Sequence, residues 1–378
     1  MLHSVLESGV CRMNVTPFTL ERFFSQTEFN VRYNLAASAI QAWSLRELLS
    51  LANDPDLQFS LFATRLGYTE AQGNLELRQE ISRLYSTPTN PDQVFVTIGA
   101  IEANYLLLSS LLEPGDRFIV QTPGYQQLSQ VGIDLGATAL PWPYCEGKGF
   151  DVQEFEALLE QKPSLVMLNT PHNPTGFVFS PDEMKQIADL CLDRGIILLS
   201  DEVYRELGET VAPSMREYSS QAVSIGSMSK SYGLAGLRVG WMVGPPEILA
   251  RCATKRDYTT LCSPSIGQQL ALTALRHRTK IWDRNRQLRL RNITLLENVF
   301  KEVPTLRWQK PKAGVVAWVG YSTEMTSEQL GWELHSRGVL VAPGIFFGQE
   351  GHFRLGFGGN SCEFKAGLAI LVDYLKKG

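Results

Sequence analysis

A lysine at position 230 stands in GSMSKSYGLAGLRVGW, residues 226–241. Ser229 and Ser231 flank it, Ser227 lies three residues before it, and Arg238 follows eight residues later. An amine among hydroxyls and glycines, with a fork-shaped cation close behind, suits two tasks. One is a nucleophile or base of lowered pKa. The other is the grip on an anion, because a guanidinium matches phosphate or carboxylate oxygens bidentately. Other residues able to do chemistry sit in short runs upstream. Ile98-Gly99-Ala100-Ile101-Glu102-Ala103 brings glycine-containing backbone to a helix start, where free N–H groups and the helix dipole favour an anion. Thr122-Pro123-Gly124-Tyr125 offers a flat ring, Asn169 to Gly176 reads NTPHNPTG and offers Asn173, and Asp201-Glu202-Val203-Tyr204 offers a carboxylate and a phenol. Taken one at a time, these are ordinary turns, a helix cap and a surface tyrosine.

The elements that must position them follow from the pattern between residues 90 and 245. Short apolar runs at Gln93–Thr97, Arg117–Gln121, Ser164–Leu168, Ile196–Ser200, Ala222–Ile225 and Trp241–Val243 predict strands. Several are nearly continuous in Val, Ile and Leu, as strands covered on both faces are. Helix signals fall between them. Ser180-Pro181-Asp182-Glu183 combines a serine cap, a first-turn proline and a glutamate three residues after the cap, and Gly195 closes that helix. Asp151 with Glu154 opens another. Such alternation predicts an α/β domain with a mainly parallel sheet. Ligands of these sheets bind at the carboxyl ends of the strands, and the runs named above follow those ends. Beyond residue 285 the pattern changes to a charge-rich helix from Trp282 to Lys301, then AGVVAWVGY, a helix near Ser327–Arg337, VLVAPG and HFRLGFG. This predicts a smaller α+β unit, and residues 1–45 are expected to pack with it.

Brought to one sheet edge, the list becomes an anion cradle, a ring, an asparagine, a carboxylate, a phenol, a lysine and an arginine. A flat, phosphorylated aromatic cofactor that forms a Schiff base needs that list, and pyridoxal 5'-phosphate fits it. NTPHNPTG, DEVY, SMSK and the arginine eight residues after the lysine resemble the class I/II aminotransferase family of fold type I pyridoxal-phosphate enzymes. The resemblance runs from about Tyr68 to Gly358. It implies a large domain over 46–285, with a mainly parallel seven-stranded sheet between helices. A smaller α+β domain would form from 1–45 and 286–378. It also implies roles. Lys230 would bind the cofactor and then move the substrate α-proton. Asp201 would keep the pyridine nitrogen protonated. Asn173 and Tyr204 would bond the ring oxygen and Tyr125 would stack on the ring. Gly99, Ala100, Ile101, Ser227, Ser229 and Arg238 would hold the phosphate. Tyr68, in LGYTEAQGNLELR, would reach a phosphate in a neighbouring subunit, which implies a homodimer. Arg354, in HFRLGF, would grip the substrate α-carboxylate, with Asn173 and Ser38 also touching substrate.

These motifs specify a cofactor and not an outcome. After α-proton removal the substrate can undergo transamination, lose a β or γ substituent, or be attacked by its own side chain. The region that departs from the usual family pattern is FTLERFFSQTEFNVRYNLAASAIQAWSLRELLSL, residues 18–51. There Ser44 with Glu47 predicts a capped helix start. NLAASAIQAWSLREL is similar to the corresponding segment of enzymes that cyclise hydroxylated arginine, the capreomycidine and enduracididine synthases. A guanidinium substrate needs a carboxylate partner, and Glu21, Glu28 and Asp257 lie in segments expected near the entrance. A plain amino-acid aminotransferase is the alternative.

Bulk properties exclude other classes. The 378 residues are 44% hydrophobic and 20% charged with a formal net charge of −4, so no basic excess points to nucleic acid. The amino-terminal region is too short and not basic enough for a helix-turn-helix fusion. No run approaches a membrane span of about 18 apolar residues. MLHSVLESGVCRMN lacks the charge pattern of a secretory signal, and Met13 is an alternative start. Six scattered cysteines (Cys11, Cys145, Cys191, Cys252, Cys262, Cys362) predict reduced thiols in a cytoplasmic protein, and five scattered histidines show no metal spacing.

Overall fold

The computed structural model describes residues 15–376; Cys11 and Met13 lie outside the described residues. An eight-stranded sheet organises the larger part of the chain. Its spatial order is Val94–Thr97, Gly240–Val243, Val223–Ser227, Ile197–Asp201, Leu165–Asn169, Arg117–Thr122, Thr138–Cys145 and Gly149–Phe150. All the predicted strands are present. The expected seven strands are joined by an eighth, the two-residue Gly149–Phe150, which turns back against Tyr144 and Cys145. Thr138–Cys145 was absent from the sequence reading because Pro141 and Pro143 interrupt it. The prolines are tolerated because this strand lies near the sheet edge.

Strand pairing sets the direction of the site. Arg117–Thr122 runs parallel to Thr138–Cys145 and to Leu165–Asn169, which runs parallel to Ile197–Asp201 and so to Val223–Ser227. Gly240–Val243 is antiparallel to both its neighbours, so Val94–Thr97 on its far side points the same way as the parallel set. The carboxyl ends of Val94–Thr97, Arg117–Thr122, Leu165–Asn169, Ile197–Asp201 and Val223–Ser227 therefore meet one edge. Gly240 starts from that edge too. Successive side chains bury on opposite faces: Phe118, Val120, Met167 and Leu199 join one apolar cluster, and Ile119, Val166, Leu168 and Leu198 another. This two-sided burial is why the strands read as continuous apolar runs.

The helices begin where their caps predict. Ser180 and Glu183 form a reciprocal capping box on Pro181–Asp193, Asp151 caps Val152–Leu159, and Ser44 with Glu47 caps Leu45–Ala52. The long helix is Arg278–Lys301, four residues longer at its start than expected, and the proposed boundary at 285 falls inside it. A second, antiparallel sheet carries Arg307–Trp308, Val316–Gly320, His352–Gly356 and Ala342–Pro343 in that order. The amino-terminal segment joins this smaller unit, since Tyr33–Asn34 pairs in parallel with Val339–Leu340. Phe23, on the helix Thr19–Thr27, packs against Trp332 and Phe346. Among the described residues no helix is long and apolar enough to cross a membrane.

Candidate active site

A cavity of about 230 Å³ opens at the carboxyl edge of the large sheet. Lys230, Asp201, Tyr204, Asn173, Tyr125, Ser227, Ser229, Arg238, Ala100, Ile101 and Ser38 all line it. The sheet topology brings them together from loops as far apart in sequence as 38 and 238. Gly99 adjoins the cavity at the first turn of Gly99–Leu111. Two predicted residues stand elsewhere. Arg354 lies behind Asn173, and Tyr68 is 88% exposed and does not line this cavity.

At one end stands the anion cradle. Gly99–Leu111 opens without a side-chain cap, so the amides of its first turn are left for a ligand. Gly99 has a φ of +75°, and a Cβ on it would come within 2.6 Å of an Arg238 guanidinium nitrogen. Glycine favours that backbone turn, and a side chain there would push the Arg238 guanidinium from its place. Arg238 itself sits in the left-handed region at φ +52°, a conformation that persists only where its surroundings impose it. The Ser227 hydroxyl accepts the Ser229 amide at 2.9 Å, which draws the serines into the same turn.

At the other end Asp201 closes the strand Ile197–Asp201. Its carboxylate accepts from Asn104 Nδ2 at 2.8 Å and from the Val203 amide at 3.2 Å. Burial dominates, and its pKa is raised to about 6. Asn104 was missed in the sequence because it lies inside the apolar run GAIEANYLLLSSL; a lone asparagine in a buried helix was the available signal. Asn169 was also missed. It accepts from the Asn173 amide at 2.7 Å and donates to the Asp201 carbonyl at 3.0 Å, tying the NTPHNPTG loop to the carboxylate strand.

Lys230 projects between these ends. Burial, then the Arg354 guanidinium, lower its pKa to about 8, against the opposing pull of Glu21, Asp201 and Glu28. A lysine so shifted has a sizeable neutral fraction near neutral pH and can take a proton. Burial raises the pKa of the Tyr204 phenol, against the opposing pull of the Arg354 guanidinium and the Ser38 hydroxyl. Arg354 is 2% exposed. It donates to Asn173 Oδ1 at 3.0 Å and to the Ala36 carbonyl at 2.8 Å, while its Nε has no partner. No carboxylate among the described residues forms an ion pair with it within 4.0 Å. A buried guanidinium in that state is ready for a carboxylate from outside the chain.

The donor set fits pyridoxal phosphate. The uncapped helix start and Arg238 would take the phosphate, Asp201 the ring nitrogen, Asn173 and Tyr204 the ring oxygen, and Lys230 the aldehyde carbon. Once bound, the cofactor supplies a carbonyl for an amine and a ring that takes up electrons from the substrate α-carbon. Lys230 would hold and return the α-proton at Nζ.

Glu21 and Glu28 come from the helix Thr19–Thr27 and its end. Glu21 accepts from the Tyr125 phenol at 3.0 Å, and both carboxylates lie close enough to act electrostatically on Lys230 and Arg354. Tyr125 is packed against Phe18 with centroids 5.0 Å apart. Asp257 is different: it caps the exposed end of Pro246–Arg256 and lines no part of the cavity in its own chain.

Comparison with known proteins follows the same lines. The chain is 31% identical over 365 residues to capreomycidine synthase of Streptomyces vinaceus, covering 94% of this chain and 93% of that one. It is 32% identical over 355 residues to arginine–pyruvate transaminase of Pseudomonas aeruginosa, covering 87% and 89%. The crystal structure of the PLP-dependent cyclase OrfR superimposes with a TM-score of 0.89 at 28% identity, covering 96% of this chain and 98% of the other. The family model for aminotransferase class I and II matches residues 34–371, and the chain belongs to that family of pyridoxal-phosphate-dependent enzymes.

Proposed function

We propose that this enzyme acts on an amino acid with a guanidinium side chain, and that its reaction is loss of water from a hydroxylated arginine followed by ring closure. The observation that carries this reading is the pair Glu21 and Glu28. Glu21 is hydrogen-bonded to Tyr125 of the cavity wall, Glu28 follows the end of the same helix, and both act electrostatically on the guanidinium expected to hold the α-carboxylate. A substrate fixed by its carboxylate at Arg354 would direct a cationic side chain towards them, where opposite charges in a partly buried site attract strongly. The resemblance of NLAASAIQAWSLREL to the hydroxyarginine cyclases and the overall similarity to capreomycidine synthase support the cyclising outcome. The similarity to an arginine–pyruvate transaminase favours a second reading, transfer of the arginine amino group to a 2-oxo acid. Both readings share the substrate class.

Mass spectrometry of products separates them. The enzyme loaded with pyridoxal phosphate is given L-arginine or 3-hydroxyarginine, with and without pyruvate. Dehydration of the hydroxylated substrate without keto acid supports cyclisation; alanine formed from pyruvate and arginine supports transamination. Ordinary turnover of common amino acids with 2-oxoglutarate, and none of either arginine, sinks both. Glu21→Gln is expected to raise KM for arginine about 10–100-fold, as loss of a charge-assisted contact does, and to spare uncharged amino acids.

The reading includes a homodimer in which Tyr68 completes the neighbouring phosphate site. Tyr68, Phe59, Phe62, Leu66 and Tyr258 form an unusually apolar exposed set, and Arg238 is left open to solvent in the single chain. A monomer by light scattering in the active state would overturn this. The unit carrying the cofactor is assigned to residues 46–285, and a cytoplasmic setting accords with the scattered cysteines.

A further inference from the structure

Lys230 Nζ has one hydrogen-bond partner among the described residues, and it comes from the far end of the sequence. Nζ donates to Ser38 Oγ at 2.8 Å. Ser38 belongs to a strap, residues 34–43, that crosses the site between the two sheets. Asn34 Oδ1 accepts from the Ala36 and Ala37 amides at 2.9 and 3.1 Å and so sets the turn that leads to Ser38. The Ala36 carbonyl accepts from Arg354. The Gln41 amide donates to the Gly358 carbonyl at 2.7 Å, and the Trp43 amide to the Gly233 carbonyl at 3.1 Å. A Cβ on Gly356 would overlap the Ala37 carbonyl, and one on Gly358 the Ala39 carbonyl. The strap is thus pinned by its backbone on both sides of Ser38, and the serine contributes only its hydroxyl.

We propose that Ser38 is a positioning residue for Lys230: its hydroxyl, fixed by the strap, accepts one Nζ–H and so aims the lysine that moves the α-proton. An amine free to rotate about four side-chain bonds spreads its lone pair over many directions; one fixed N–H···O bond removes most of them. Ser38 also favours the charged amine, because an acceptor stabilises an ammonium more than an amine. The groups that set the charge of Lys230 from the surrounding elements are Arg354 of His352–Gly356, Asp201 of Ile197–Asp201, and Glu21 and Glu28 of the amino-terminal helix. Ser38 carries no charge and acts beside them through geometry. The inference rests on the family assignment and Lys230's role, and it does not depend on which amino acid is the substrate.

Ser38→Ala tests it with two readouts. In the full-length chain freed of cofactor, acylation of Lys230 by acetic anhydride is followed against pH by peptide mass spectrometry. The midpoint is expected to fall by roughly half a pH unit to one pH unit, the size of one lost hydrogen bond to a charged group. Ser38→Thr, which keeps the hydroxyl, is expected to restore it. In the loaded enzyme, exchange of the L-arginine α-proton for deuterium is expected to slow about tenfold at saturation, with half-saturation changed less than about twofold. A Ser38→Ala midpoint equal to that of the unaltered chain overturns the proposal, as does a midpoint that Ser38→Thr leaves at the alanine value. If the unaltered enzyme exchanges no deuterium into L-arginine and leaves 3-hydroxyarginine unchanged, the arginine reading fails, and the acylation midpoint still decides Ser38.

Discussion

The site has two halves built in different ways. The sheet-edge half takes each group from a short local run at the carboxyl end of a strand: Gly99, Tyr125, Asn173, Asp201 and Lys230. Its neighbours in space are set by parallel pairing over the register of the large sheet. The amino-terminal half takes Glu21 and Glu28 from the helix Thr19–Thr27 and its end, and Ser38 from the strap that follows the two-residue pairing of Tyr33 and Asn34. The strap is held by single backbone hydrogen bonds and by glycines that make way for it. In the proposed function, the first half would serve any amino acid the cofactor accepts, and the second would contact what differs between amino acids. Such a division, with chemistry on the scaffold and specificity on a connecting segment, is one that other enzymes use.

Substitutions can break this division. Lys230→Ala is expected to abolish turnover of every amino acid, by on the order of 10⁴-fold or more, because in the proposed role one side chain would supply both attachment and base. Loss of the visible absorbance of protein-bound pyridoxal phosphate checks the attachment. Persistence of that absorbance in the variant would remove Lys230 from its role. Asp201→Ala comes next, with kcat lower by about 10²–10³-fold and cofactor binding much less affected, since the carboxylate stabilises charge that develops during reaction. A variant that merely fails to hold the cofactor would contradict this. Gly356→Ala strikes the strap without touching a sheet-edge group. It is expected to destabilise the chain by about 1–3 kcal/mol through overpacking and to alter substrate preference more than cofactor affinity, measured by thermal melting and by KM across an amino-acid panel. The opposite pattern would mean that the strap shapes the cofactor pocket instead.

The smallest effect is on stability. Asp201 has a folded pKa of about 6 against 3.8 for the ordinary group. The folded chain therefore holds more protons between those values, and stability falls as pH rises through that window. Lys230 has a folded pKa of about 8 against 10.5, so the unfolded chain holds more protons there and the cost of the buried ammonium is present below about 8. Both groups thus weaken the cofactor-free fold at neutral pH. Asp201→Asn is expected to raise the melting temperature of that form by a few degrees at pH 7, with the gain lost once the pH falls below the ordinary carboxylate value. A lowered melting temperature at pH 7 would show that the bonds from Asn104 and Val203 outweigh burial.

The sequence by itself determined the sheet-edge half. Apolar runs, caps at Ser180 and Asp151, and the sheet-edge rule were enough to select Lys230, Asp201, Asn173, Tyr204 and Arg238, because each lies within a few residues of the strand that carries it. Asn104 and Asn169 escaped because their shared partner Asp201 is 97 and 32 residues away and their surroundings read as core and turn. Glu21 and Glu28 were legible as carboxylates needing a purpose, but so was Asp257, and nothing in the spacing separates them. Only the tertiary structure places the first two within electrostatic reach of Arg354 and the third on an exposed helix end. It alone decided that Ser38 meets Lys230 across 192 residues of chain. The physical reason is range: helix caps and strand periods act over a few residues, whereas a hydrogen bond between a strap and a distant loop exists only once both sheets have closed around it.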